Sequence, residues 1–169
     1  NYFVSKNFPD REEAGTPNIL GAITLGSAIH VLDSIGMDII LKKDLELTNY
    51  AIEEMKKYQD IFIYGNTDSD DYQRAGTISF NIEGMDHGLV AAILNDYFNI
   101  AVRNECFCAH PYVEKMLELT HRIQIYEAKA KNLTSWNTEP WMGMVRVSFG
   151  IYNTISDVDH FIHALKDII

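Results

Sequence analysis

The sequence is poor in cysteine, in positive charge and in long apolar runs, and each scarcity excludes a class of protein. It has only two cysteines, one residue apart, too few for a disulfide framework. Its 14 basic residues are scattered among 24 acidic ones, which argues against binding to nucleic acid or to an anionic membrane surface. No apolar run approaches the roughly 18 residues that a membrane-spanning helix needs. We therefore expect neither nucleic-acid nor membrane partners.

The given sequence does not start with methionine. Its first residues contain neither a basic region nor an apolar one, so no signal peptide is recognisable. Two unpaired cysteines and no secretion signal favour the cytoplasm. We expect the chain to be a piece cut from a longer protein. Its 169 residues, 47% of them hydrophobic, suffice for one globular domain with its own core.

Helical and strand-like patterns alternate along the chain. Apolar residues at helical spacing predict five helices, over 17–36 and 37–58, from 86, from about 112, and over 154–168; residues 125–133 are a weaker helical segment. Short apolar or alternating runs predict four strands, at 61–64, 76–82, 100–102 and 144–149. The economical packing is an α+β fold, in which a small, mostly antiparallel sheet of about four strands is covered by helices on one face.

Both cysteines lie in the connection between the third predicted strand and the following helix. Arg103 is close to them in sequence, and a nearby cation favours the reactive thiolate form. Cys106 can pack beside Phe107 as a small buried residue, whereas Cys108 opens the turn that leads into the helix. The pattern favours a nucleophile at Cys108, and a purely structural role for both cysteines remains the alternative.

A metal site is a second alternative for the same segment. In an extended conformation Cys106, Cys108 and His110 share one face, as three ligands of a non-enzymatic metal-binding module would. Zinc needs a fourth ligand or an open position, and no second pair of cysteines or histidines at ligand spacing supplies one.

Two further segments could bind an anion. Gly15 and Thr16 precede Pro17 at a helix start, where backbone N–H groups and the helix dipole attract phosphate. These residues alone favour a simple helix cap at Thr16 over a phosphate site. Arg146 lies within an apolar strand, where an arginine is costly unless it finds a carboxylate or phosphate. A structural salt bridge is the alternative for Arg146.

Taken together, these residues resemble the class V aminotransferase family, in particular its cysteine desulfurase and selenocysteine lyase group. The resemblance rests on four motifs in the same order, residues 13–18 (Glu-Ala-Gly-Thr-Pro-Asn), 76–81 (Gly-Thr-Ile-Ser-Phe-Asn), 100–103 followed by Cys108-Ala109, and 146–154 (Arg-Val-Ser-Phe-Gly-Ile-Tyr-Asn-Thr). It extends from about residue 11 to the end. Two features depart from the family pattern: Glu105 stands where a glycine is common, with a charge that should raise the pKa of a neighbouring thiol, and residues 119–143 are longer than usual.

The resemblance implies specific roles in a pyridoxal 5'-phosphate enzyme. Cys108 would be the catalytic residue that takes up sulfur as a persulfide, and Arg103 and Arg146 would bind the substrate carboxylate. Gly15 and Thr16 would contact the cofactor phosphate across a dimer interface. No metal is implied. The substrate stays open between cysteine and selenocysteine, with an aminotransferase or epimerase of the same family as the alternative.

The resemblance also implies how the chain is organised. Residues 1–16 would be an irregular linker that includes the phosphate contact, and residues 17–169 the C-terminal small domain of a fold type I enzyme. The lysine that binds the cofactor lies well upstream in the family, and Lys6 is too close to the motif to be that residue. We therefore expect a missing N-terminal large domain, an inactive isolated chain, a homodimer in the full-length enzyme, an amino-acid substrate and a sulfur acceptor protein.

Overall fold

The computed structural model describes residues 4–13, 15–67, 75–117 and 143–169. Contacts divide the chain into two compact units, Asn1–Ile40 and Leu41–Ile169, each of which is described by itself. The predicted helical segment at 125–133 lies outside the described residues.

The first unit contains helix α1, Ile19–Ile35, as the apolar spacing predicts. The Asn18 side chain caps its start by accepting a hydrogen bond from the Gly21 N–H at 2.9 Å. Gly36 ends it with φ of 96°, a conformation that glycine adopts without strain, and donates its N–H to the Leu32 carbonyl at 3.0 Å. No residue of α1 is buried, although most of its side chains are apolar.

Helix α2, Met37–Met55, follows α1 and runs into the second unit. Its buried stripe in that unit is Leu47, Thr48, Ala51, Ile52 and Met55. Among the described residues no single helix is long and apolar enough to cross a bilayer; α1 and α2 reach that length and apolarity only when they are taken together across the break between them.

The second unit is built on a three-stranded antiparallel sheet with strand order β1-β2-β3. The strands are β1 (Ile61–Tyr64), β2 (Thr77–Ile82) and β3 (Val145–Ser148). Because side chains alternate along a strand, each strand contributes to both faces of the sheet. One face carries the main core, in which apolar residues of the sheet pack against α2 and two further helices, α3 (His87–Phe98) and α5 (Ile155–Ile168). The sheet residues of this core are Ile61, Ile78, Phe80, Ile82, Val145 and Val147.

Helices α3 and α5 cover this core face and begin at short polar caps. Helix α3, His87–Phe98, begins at Asp86, whose carboxylate accepts the N–H groups of Gly88 and Leu89. Helix α5, Ile155–Ile168, begins at Thr154, whose N–H and hydroxyl both donate to Asp157 Oδ2. Both starts agree with the sequence-based expectation, because a capping side chain is a local signal.

The opposite face of the sheet carries a second, smaller cluster. Its buried members come from the sheet and its flank, from the cysteine segment (residues 103–109) and from helix α4 (residues 110–117). They are Tyr64, Cys106, Val113, Leu117 and Met144, and Phe62, Phe107 and Met116 pack against them. The cysteine segment and α4 therefore lie on the face away from the main core.

The strand predicted at 100–102 does not form. The Ile100 N–H donates to the Leu94 carbonyl at 2.9 Å, at the end of α3. This N–H is therefore not available for a hydrogen bond to a neighbouring strand. Only Arg103 pairs with the sheet, through an isolated antiparallel bridge to Arg146. The small antiparallel sheet covered by helices is otherwise the predicted fold class, but α4 lies on the face opposite to α3 and α5, whereas helices on a single face were expected.

Candidate active site

The cysteine segment is fixed to the edge of β3 by backbone hydrogen bonds. The Arg103 N–H donates to the Arg146 carbonyl at 3.0 Å, and the Arg146 N–H donates to the Arg103 carbonyl at 2.7 Å. Two residues further on, the Glu105 carbonyl accepts the Met144 N–H at 3.1 Å. These bonds set which cysteine-segment residues face the sheet, and they bring residues about forty positions apart in sequence side by side.

Three residues of this segment adopt the left-handed backbone region although none is a glycine. Glu105 has φ of 79°, Phe107 of 52° and Cys108 of 60°. The Ala109 N–H closes the turn by donating to the Cys106 carbonyl at 2.7 Å. Non-glycine residues in this region cost roughly 1–2 kcal/mol each, and such outliers cluster at functional sites. The turn places consecutive side chains in different directions.

The two cysteines consequently have opposite environments. Cys106 is buried in the second cluster, whereas Cys108 is exposed. Burial raises the pKa of the Cys106 thiol, and the charges of Glu105 and Glu114 raise it further. The Glu105 charge thus acts on the thiol next to it in sequence, that of Cys106. Cys106 stays a protonated, packed residue, and Cys108 is the accessible thiol of the segment.

Arg146 and Arg103 lie on the sheet face that carries the cysteine segment. A hydrogen-bonded antiparallel pair places its two side chains on the same face, with Cα atoms about 5.5 Å apart. Arg146 is half-buried and Arg103 is exposed. Within the described ranges neither arginine forms a salt bridge, so the structural ion pair considered for Arg146 is not found there. Like charges side by side destabilise a sheet, and an anion bound between them would relieve this.

The Arg146 guanidinium lies over an aromatic ring. Its Cζ atom is 5.0 Å from the centroid of the Phe107 ring, within the range of a cation–π interaction. Its Nε atom is buried and has no hydrogen-bond partner in the described part of the chain. Sequence reasoning treated Phe107 only as a packing neighbour of Cys106 and missed this contact, which depends on the pairing of two distant segments.

A polar contact beneath the site was also missed. The buried Asn81 side chain donates from Nδ2 to the Tyr64 hydroxyl at 3.3 Å and to the Gly143 carbonyl at 3.0 Å. Burial raises the pKa of Tyr64 to about 12. The motif at 76–81 singles out this asparagine in the sequence, but nothing there indicates its partners. Asn81 ties the backbone just before β3 to the sheet.

The alternative metal site is not formed. In the ranges that the structure describes, no three His, Cys, Asp or Glu side chains are placed to hold a metal ion, and Cys106, Cys108 and His110 are all within those ranges. The left-handed turn is the reason, because it breaks the extended conformation that would have aligned the three side chains.

Gly15 and Thr16 belong to the first unit and are exposed. The helix cap is Asn18 rather than Thr16, since α1 begins two residues later than the sequence suggested. The Asn18 side chain accepts the Gly21 N–H, one of the free donors of the first turn. The Thr16 hydroxyl is thus not needed as the cap. The first turn of α1 contains no acidic residue, so an approaching phosphate meets no carboxylate there.

Comparison with known proteins finds relatives of one family. The family model of class-V aminotransferases matches residues 1–161. A probable cysteine desulfurase of Staphylococcus aureus (strain COL) is 37% identical over 171 residues, covering 97% of this chain and 35% of that protein. One of Halalkalibacterium halodurans is 35% identical over 161 residues, covering 95% and 32%. The chain spans about a third of the length of the curated relatives it matches.

Solved structures show the same relationship. The apo structure of a cysteine desulfurase from Thermococcus onnurineus NA1 superposes with a TM-score of 0.73 at 30% identity, covering 95% of this chain and 34% of that one. A cysteine desulfurase from Escherichia coli, at 24% identity and a TM-score of 0.71, covers 94% and 32% and supports the fold. With its fold, its motif order and a family match over nearly its whole length, the chain belongs to the class-V aminotransferase family.

Proposed function

We propose that the intact protein is a pyridoxal phosphate-dependent cysteine desulfurase in which Cys108 accepts the sulfur of a substrate cysteine. The observation that carries this proposal is the exposure of Cys108 on a turn that backbone hydrogen bonds fix beside an arginine pair. The arginines suit an amino-acid carboxylate, and the exposed thiol suits attack on sulfur. The similarity to probable cysteine desulfurases supports this choice.

The residues of this chain fit part of a pyridoxal phosphate site. Gly15 and Thr16 are exposed at a helix start without acidic residues, where N–H groups and a hydroxyl can contact the phosphate. Lys6 is the only lysine before them, and we propose that the cofactor lysine belongs to an upstream large domain. Residues 1–16 then act as the linker with the phosphate contact, and residues 17–169 as the small domain. Bound cofactor would supply the electron sink that stabilises negative charge on the substrate α-carbon.

Arg146 and Arg103 bind and orient the substrate. The planar guanidinium of Arg146 offers two parallel N–H donors to a carboxylate, and the exposed Arg103 adds a second positive charge on the same face. Holding the carboxylate fixes the position of the substrate side chain relative to the cysteine turn. The substrate sulfur and the Cys108 thiol then react as two groups held in one complex and need not meet by diffusion.

Cys108 carries out the sulfur transfer. Its thiolate attacks the sulfur of the substrate cysteine, an S–S bond forms, and the substrate Cβ–S bond breaks with its electron pair left on carbon, which is then protonated. Cysteine and the Cys108 thiol are thereby converted to alanine and a Cys108 persulfide. Cys106 does not compete, because burial and the acidic residues Glu105 and Glu114 raise its pKa and keep it a thiol.

The proposal extends to the setting of the enzyme. We expect a homodimer, so that Gly15 and Thr16 can reach the cofactor of the partner subunit, and a protein that accepts the persulfide sulfur. We also expect the cytoplasm as the compartment. Selenocysteine would fit the same carboxylate clamp and thiol, with selenium in place of sulfur.

The test uses the intact protein with pyridoxal phosphate and cysteine. We expect alanine and sulfide when a thiol reductant is present, and a persulfide on Cys108 by mass spectrometry when it is absent. Cys108→Ser should abolish both, while the matched variant Cys106→Ser keeps them. The 169-residue chain alone should show no turnover.

Other results would redirect the assignment. A Cys108→Ser enzyme that keeps full turnover of its amino acid contradicts the desulfurase proposal and favours an aminotransferase or epimerase, which needs no thiol. A higher kcat/KM with selenocysteine than with cysteine favours a selenocysteine lyase.

A further inference from the structure

We propose that Phe107 is a positioning residue for Arg146, holding the guanidinium in the orientation in which it binds the substrate carboxylate. What Arg146 binds rests on the proposed function, but the contact itself does not. The Arg146 Cζ atom is 5.0 Å from the Phe107 ring centroid. At that distance the negative face of the ring attracts the cation without using any of its hydrogen-bond donors.

The surroundings of Arg146 give the ring this role. The guanidinium has no carboxylate partner among the described residues, and its buried Nε has no acceptor there. A long arginine side chain loses conformational entropy when it is ordered. If it were free before binding, this entropy cost would weaken its binding to a carboxylate. Contact with the ring orders it beforehand and leaves the N–H fork available.

Phe107 is itself held from two sides. Its backbone lies in the left-handed region, with φ of 52°, inside the turn that the Ala109 N–H and the Cys106 carbonyl close. Its side chain packs against the buried cluster that contains Cys106 and Met144. Because Phe107 directly precedes Cys108, the ring connects the position of the exposed thiol with the position of the arginine.

The test compares four variants of the intact protein. Phe107→Leu and Phe107→Met remove the aromatic face, and Phe107→Tyr keeps it. All three side chains are unbranched at Cβ, so they meet the same left-handed backbone. The control Val113→Ala thins the same cluster without removing a ring. One readout is the rate at which the arginine reagent phenylglyoxal labels Arg146, mapped by mass spectrometry; the other is steady-state kinetics with cysteine.

We expect faster labelling of Arg146 in Phe107→Leu and Phe107→Met, with wild-type rates in Phe107→Tyr and Val113→Ala. We expect KM for cysteine to rise roughly 2- to 30-fold in the first two variants with a much smaller change in kcat, since the ring acts on ground-state and transition-state binding alike. Phe107→Tyr should restore KM.

The labelling rate decides the positioning role and does not depend on the reaction. At least one of Phe107→Leu and Phe107→Met has to fold for this test. If Arg146 in that folded variant is labelled at the wild-type rate, the positioning role is overturned. Labelling that rises in Val113→Ala as much as in Phe107→Leu also overturns it, because loss of packing would then suffice. An enzyme that does not release sulfur from cysteine refutes the proposed function, while the labelling result still tests Phe107.

Discussion

Arg103 and Arg146 hydrogen-bond to each other through both backbone groups and thereby project two guanidinium side chains from neighbouring positions on one face of the sheet. In the described part of the chain no acidic side chain neutralises either of them. An anion bound between two such like charges would relieve their repulsion, which is the role that we propose for the substrate carboxylate.

Arg146→Lys tests whether that anion is the substrate carboxylate. In the intact enzyme we expect kcat/KM for cysteine to fall by a factor equivalent to about 1.5–3 kcal/mol, because an ammonium group cannot present the two-donor fork. Arg11→Lys, at an exposed arginine beside Glu12, serves as the control and should be neutral. Wild-type turnover of cysteine or selenocysteine in Arg146→Lys would refute the assignment.

Glu105→Gly tests the strain of the cysteine segment. Glu105 has φ of 79°, where glycine is free of the steric cost that other residues bear. Glycine relieves this steric cost, which stabilises the folded state, but it also increases the conformational entropy of the unfolded chain, which offsets part of the gain. We expect a net rise of about 0.5–1 kcal/mol in the free energy of unfolding. Denaturant unfolding of the intact protein measures it. Glu105→Gln keeps the backbone strain and loses only the charge, so equal stabilisation by glutamine would point to charge instead.

Alkylation tests the difference between the two thiols. With limiting iodoacetamide at neutral pH, we expect the folded protein to be labelled first at Cys108, because Cys106 is buried and its pKa is raised. Cys108 should react slowly without the large domain and cofactor, and faster in the assembled enzyme. Peptide mapping distinguishes the two sites. Label found mainly on Cys106, with Cys108 protected until unfolding, would overturn the choice of nucleophile.

The start of α5 gives a prediction about acid stability. The hydrogen bonds that Asp157 accepts from Thr154 lower the pKa of its carboxyl group in the folded protein. Folding therefore favours the ionised form, so this stabilisation is complete above the unfolded pKa near 4 and is lost as pH falls through the lower folded value.

Asp157→Asn should accordingly lower the free energy of unfolding at pH 7, and its difference from wild type should shrink below about pH 4. Asp167→Asn removes an equal charge from the last turn of the same helix and is the matched control. Denaturant unfolding across pH 2–7 tests this prediction, and a constant difference over that range would contradict it.

The elements that the sequence predicted well are those with local signals. Asp86 and Thr154 cap their helices and Gly36 ends one, because each acts on backbone groups within four residues. Thr16 is not the cap of α1, because the Asn18 side chain accepts the Gly21 N–H of the first turn.

The predictions that failed or were missing depend on distant segments. The strand at 100–102 reduces to one bridge, because α3 takes the Ile100 donor and only Arg103 reaches the sheet. The contact between Phe107 and Arg146 follows from the register of that bridge, which no local pattern encodes. The candidate residues could therefore be named from the sequence, but their arrangement around the thiol could not.

The alternation along β3 has an evolutionary consequence. Val145 and Val147 are buried in the main core, while Arg146 and Ser148 point to the other face. Positions that hold the domain together and positions that face the proposed ligand site thus interleave without sharing side chains. Single substitutions at positions 146 and 148 can therefore change this face of β3 while Val145 and Val147 keep their place in the main core.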